Sequence, residues 1–135
     1  MPTPSGTIKG VSELALWTRD LDRSVAFYRD QLGFVVQEMD PAHNAFLRSG
    51  TLLLALFVPE DPGTPLAKEY LARTGGPQGD VYHVGFLVDV QNLEPFVAQL
   101  RAQGLELRGP VDFEGGRRSY FVDDPDAHCI ELTNQ

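Results

Sequence analysis

An internal repeat constrains this chain more than any other feature. Residues 12–40, SELALWTRDLDRSVAFYRDQLGFVVQEMD, and residues 82–110, YHVGFLVDVQNLEPFVAQLRAQGLELRGP, match over about thirty positions. In the first copy, ELALWT reads as a strand, and Asp20 or Asp22 stands where a helix cap is needed. Leu21, Val25, Tyr28 and Leu32 then recur at helical spacing, Gly33 ends the helix, and FVVQEM is a second strand. In the second copy, HVGFLV is the strand and Asn92 the cap. Leu93, Phe96, Val97 and Leu100 share one helix face, with Pro95 tolerated in the first turn. Gly104 ends that helix and LELRG restarts a strand. Glu13 corresponds to His83 at an offset of 70, and Gly33 to Gly104 one residue out of phase.

Each copy runs into two more strands. In the first these are NAFLRS and TLLLALFV around a Ser49-Gly50 turn; in the second, RRSYFVD and AHCIELT around the turn DPDA, 124–127. The fold class is therefore α+β, with two βαβββ modules, about 11–58 and 81–134, in one domain. Residues 59–80, rich in Pro and Gly, read as a linker with one helical turn in PLAKEYLAR. One helix covers only one face of a four-stranded sheet. Two such sheets facing each other as a curved mixed sheet would enclose a central cavity, with matching positions of the two halves opposed.

The chain has 135 residues, enough for one domain with a real core. A net charge of −8 argues against nucleic acid and anionic membranes as partners, because phosphate needs a basic face. The single cysteine, Cys129, fits a reducing, cytoplasmic compartment. MPTPSGTIKG has no apolar core of a signal peptide, and the longest apolar run, LLLALFV, is too short to span a membrane.

DLDRSVAFYRDQLGF (20–34), YHVGFLV (82–88) and SYFVDDPDAHCIEL (119–132) together resemble the vicinal oxygen chelate superfamily, also called the glyoxalase/bleomycin-resistance/dioxygenase superfamily, from Val11 to Leu132. The resemblance implies paired βαβββ modules, a homodimer, a small-molecule substrate and often a divalent metal. Its ligands come from the first and last strands of the modules. Carried over, they are Glu13, His83 and Glu131, while the fourth position is Ala55, which cannot be a ligand. Many members have histidine where Glu13 stands.

Strand alternation supports that set. If Glu13 faces the cavity, so do Ala15 and Trp17; if His83 does, so do Gly85 and Leu87; if Glu131 does, Ile130 and Leu132 face the core. A carboxylate there needs a partner, and a divalent cation supplies one. Two glutamates and a neutral imidazole balance its charge, and such donors suit Mn, Fe(II), Co, Ni or Zn. Taken singly, each residue has a plainer reading: His83 as a hydrogen-bonded strand histidine, Glu13 as a solvated edge residue, Glu131 as a surface acid.

The inward list, Trp17, Leu53, Ala55, Phe57, Leu87 and Phe121, suits an apolar pocket or an ordinary core. Arg117 and Ser119 share the parity of Phe121. Arg117 could clamp an anionic group, or sit solvated in the loop EGGRRS, which with 59–80 is a candidate lid. Cys129 shares the parity of Glu131 and reads as a small hydrophobe; His43 and His128 read as solvated turn residues.

The leading functional expectation is a glyoxalase-like, metal-dependent enzyme of lyase or isomerase type. Its metal would hold two vicinal oxygens of the substrate, with Glu131 or Glu13 as proton acceptor. The alternative is a metal-free binding protein of the bleomycin-resistance type. A ring-cleaving dioxygenase ranks lower, because Phe121 stands where that branch has tyrosine and Glu13 where it has histidine.

Overall fold

The structure, a computed structural model, describes residues 10–78 and 81–135. The readings made of residues 1–9, and of the last two residues of the 59–80 segment, lie outside the described residues. The chain divides into two compact units, one ending at Gly76 and the other beginning at Pro77. Each contains one βαβββ module.

In the first unit, β1 (Glu13–Trp17) leads into α1 (Leu21–Ala26), followed by β2 (Val35–Asp40), β3 (Asn44–Ser49) and β4 (Leu52–Phe57). The sheet order is β1-β4-β3-β2, with β1 parallel to β4 and the other pairs antiparallel. Strand alternation sorts the residues. Leu16, Ala45, Leu47, Leu54 and Leu56 are buried on the face that α1 covers, together with Leu21, Val25 and Tyr28. Glu13, Ala15 and Trp17 lie on the opposite face, in register with Leu53, Ala55 and Phe57.

Asp20 is the residue that caps α1, accepting from the Arg23 backbone N–H at 3.1 Å. The helix widens into a π turn over Phe27–Gln31, with the Leu32 N–H bonded to the Phe27 carbonyl five residues back. The 59–80 segment holds more than one helical turn: α2 runs from Pro65 to Thr74. Its signals are local, a Thr64 cap, Pro65 in the first turn and left-handed Gly75 at the C-terminus. None of its ten residues is buried, so it lacks the apolar stripe that reveals a helix in sequence. His43 is less solvated than its turn suggests. Its Nδ1 lies 2.9 Å from the Asp61 carbonyl oxygen, tying the start of this segment to the β2–β3 turn. Gly63, in the left-handed region, makes the approach possible, since a Cβ there would come within 2.6 Å of the His43 Cβ.

The second unit repeats the plan with β5 (His83–Leu87), α3 (Leu93–Ala102), β6 (Arg108–Asp112), β7 (Arg118–Asp123) and β8 (Cys129–Thr133), in sheet order β5-β8-β7-β6. Leu93, Val97 and Leu100 of α3, with Tyr120, Val122, Ile130 and Leu132, make its core. Each such side chain taken from water contributes roughly 1.5–3 kcal/mol. Tyr120 points to the helix side, as parity requires, and its hydroxyl donates to Glu94 at 2.7 Å.

Two details depart from the sequence reading. Asn92 occupies the cap position of α3 but its side chain makes no capping bond. LELRG is not a strand throughout. The Leu105 N–H bonds the Leu100 carbonyl and Arg101 donates to the Leu107 carbonyl, so this stretch closes the end of α3 and pairing begins at Arg108. Among the described residues no helix is long and apolar enough to cross a membrane.

Candidate functional site

Glu131 sits at the middle of β8, in register with Gly85 of β5 on one side and Phe121 of β7 on the other. Its strand neighbours Ile130 and Leu132 are buried in the core, which drives its own side chain to the opposite face. It is only 3 % exposed, so a bare carboxylate would be costly there. It is not bare. Oε2 accepts from the Ser119 hydroxyl at 2.6 Å and from Arg117 Nη2 at 2.8 Å, and Oε1 lies 3.1 Å from His83 Nε2. Burial raises the carboxyl pKa. The Ser119 hydrogen bond, then the Arg117 hydrogen bond and charge, together with the His83 charge, outweigh it, and the net shift is downward.

Beside it, His83 begins β5 with its side chain 34 % exposed. Edge-on contacts with Tyr82 and Phe121 fix the ring, the centroids 4.6 and 6.1 Å away. Two ligands at right angles on one metal, each about 2.1 Å from it, lie about 3 Å apart. The His83–Glu131 separation therefore fits a shared cation at Nε2 and Oε1, with Oε2 held from behind by Ser119 and Arg117. Within module two, no third carboxylate, thiol or imidazole among the described residues completes a cluster with this pair.

Arg117 follows Gly115 and Gly116, both in the left-handed region, in a short turn whose closure is the Phe113 N–H bonded to the Arg117 carbonyl at 2.8 Å. Its guanidinium lies over the Phe113 ring and also donates through Nε to Thr133 Oγ1 at 3.2 Å. The arginine thus faces inward to Glu131, not outward to solvent alone. Ser119 is fully buried.

Module one carries the corresponding positions differently. Ala15 pairs with Ala55 where Gly85 pairs with Glu131. Glu13 opens β1 as His83 opens β5. Trp17 and Phe57 meet edge to face at 6.1 Å, Phe46 meets Phe57 at 5.7 Å, and Tyr70 of α2 stacks on Trp17 at 6.1 Å. This face is an aromatic surface.

Of the sequence-derived set, module two brings together His83, Glu131, Ser119, Arg117 and Phe121, and module one brings together Trp17 and Phe57, with Glu13 at the far end of the Trp17 strand. Sequence reasoning missed Thr133, Phe46 and Tyr70. Thr133 has the parity of Glu131 two residues on, which is a usable signal; Tyr70 was hidden in the segment read as linker.

The chain is similar over its length to several solved structures. An integron cassette protein from the mobile metagenome of Halifax Harbour sewage outfall is 26% identical, with a TM-score of 0.74, covering 95% of this chain and 100% of that one. Lactoylglutathione lyase from Agrobacterium tumefaciens is 23% identical, with a TM-score of 0.74 and 95% of each chain covered. A point mutant of the genomically encoded fosfomycin resistance protein FosX from Listeria monocytogenes, complexed with Mn(II) and 1S,2S-dihydroxypropylphosphonic acid, is 21% identical. Its TM-score is 0.68, with 95% of this chain and 91% of that one covered. Identities this low, under a quarter for the two named enzymes, establish a shared fold. No curated protein sequence matches. The family model that does match spans residues 10–132, taking in both βαβββ modules and the strands that carry Glu13, His83 and Glu131, and by that match the chain belongs to the Glyoxalase/Bleomycin resistance protein/Dioxygenase superfamily.

Proposed function

We propose that this chain is a metal-dependent, glyoxalase-like enzyme acting on a small substrate that presents two adjacent oxygens, with lyase or isomerase chemistry. One observation carries the reading: His83 Nε2 and Glu131 Oε1, on neighbouring parallel strands, stand 3.1 Å apart, the spacing of two adjacent ligands. The Mn(II) in the similar FosX complex is in keeping with it. Glu13, the position matching His83, is the proposed third ligand. A divalent ion held there would polarise the substrate oxygens and stabilise the negative charge that develops on them. Mn, Fe(II), Co, Ni and Zn all accept this donor set.

The two glutamates then take different roles. Glu131 is fixed in place by Ser119 and Arg117, so it suits a positioned ligand better than a mobile proton acceptor. Glu13, exposed at the start of its strand, is the proposed proton acceptor. Trp17, Phe57 and Phe121 would supply apolar walls for the substrate. A homodimer and a cytoplasmic location belong to the same reading.

Metal content of the purified protein tests it directly, by elemental analysis of wild type beside His83→Ala. Near-stoichiometric metal that is lost in the variant is the expected result. No metal in either protein, even after reconstitution with each of the five ions, overturns it. A second reading has its own observation. Arg117 already neutralises Glu131, as a metal-free small-molecule binding protein of the bleomycin-resistance type would require. It predicts ligand binding that survives EDTA.

A further inference from the structure

A buried carboxylate is tolerable only with a partner, and the usual expectation at this position is a cation from solution. Glu131 has a partner from its own chain. The Arg117 guanidinium donates to Oε2 at 2.8 Å and, through Nε, to Thr133 Oγ1 at 3.2 Å, and it rests on the Phe113 ring. The loop behind it is fastened. The Phe113 N–H bonds the Arg117 carbonyl, Asn134 donates to the Gly116 carbonyl, and Gln135 donates to the Gly115 carbonyl. Arg117 is therefore built into position, although its side chain remains 41 % exposed. Glu131 and Arg117 sum to zero charge, and both lone-pair directions of Oε2 are taken by Ser119 and Arg117.

We propose that Arg117 is a resident counter-ion and positioning residue for Glu131. It neutralises and orients the carboxylate when no cation is bound, and it lowers the affinity of the Oε1–His83 pair for a divalent ion. The physical reason is direct. A guanidinium on one carboxylate oxygen withdraws charge from the other and repels a cation placed there. Module two then stays folded without metal, and Arg117 limits how firmly metal is held. The first half stands independently of the metal reading; the second half rests on it.

The test is a double-mutant cycle in the full chain, with wild type, Arg117→Gln, Glu131→Gln and the double variant melted in EDTA, and with Arg117→Lys as a conservative control. Arg117→Gln should lower the melting temperature clearly when Glu131 is present and hardly at all when it is Gln, and Arg117→Lys should recover part of the loss. A structural role through Phe113 packing alone would cost the same in both backgrounds, and that result overturns the proposal. Titration with Mn(II) reads the second half. Arg117→Gln should bind Mn(II) about tenfold more tightly than wild type, the scale of removing one positive charge near solvent. Equal or weaker binding by the variant overturns it. If no protein in the set binds Mn(II), the metal reading fails along with this second half, and the melting cycle alone decides the counter-ion role.

Discussion

The two modules share one topology and differ at its centre. In the first sheet, the residue across from the middle of the opening strand is Ala55, fully buried, with Phe46 on its other side. In the second it is Glu131, with Phe121 in the place of Phe46 and Gly85 in the place of Ala15. Around Ala55 the neighbours are aromatic and small. Around Glu131 they are Ser119, Arg117, Thr133 and His83. A duplicated fold has thus kept its helix-side core in both copies and made the opposite face apolar in one and charged in the other. The charged face is specialised by partners as much as by the glutamate, because a buried carboxylate persists only where donors surround it.

The most severe way to break this contrast is to write Glu131 into module one. Ala55→Glu buries a carboxylate with none of the three partners that Glu131 has in Ser119, Arg117 and His83, at a cost on the order of 3–5 kcal/mol, and thermal unfolding should show a large fall or no folded protein. The reverse change, Glu131→Ala, removes the acceptor of Ser119 and Arg117. It should cost about 2–3 kcal/mol by chemical denaturation and abolish metal uptake.

Tyr70→Ala addresses the aromatic half. It should cost about 1 kcal/mol. Because Trp17 is the one tryptophan of the chain, the loss of its stacking partner should also appear as a red-shifted emission.

Acid separates the modules more gently. Glu94, held down by the Tyr120 and Arg118 hydrogen bonds, Asp112, held down by Arg118, and Glu131 all have depressed pKa values in module two. Among the described residues of module one, Asp30 beside Arg29 has such a shift. A carboxyl with a depressed folded pKa contributes stability that is present above its unfolded pKa and lost as pH falls through the folded one. Amides of module two should therefore lose hydrogen-exchange protection before those of module one as pH drops below the ordinary carboxylate range. The smallest effect belongs to Arg118→Ala. Its bonds to Asp112 and Glu94 are exposed, and screening should leave only a slight change in melting temperature that shrinks further in high salt.

The repeat in the sequence was enough to determine both βαβββ modules and the faces of their strands, because periods of two and 3.6 are local properties of the backbone, while the family resemblance matched Ala55 with Glu131. Strand parity likewise put Ser119, Phe121 and Glu131 on one side. Only tertiary structure decided that Arg117 turns onto Glu131, since parity left it either on that face or solvated in its loop, and its position depends on two glycines in left-handed conformation and on Asn134 and Gln135, which grip them. It also decided that α2 is a full helix set on Trp17, since a helix with no buried stripe is stabilised by its caps and by a stacking contact from a strand far away in sequence, and neither leaves a periodic trace.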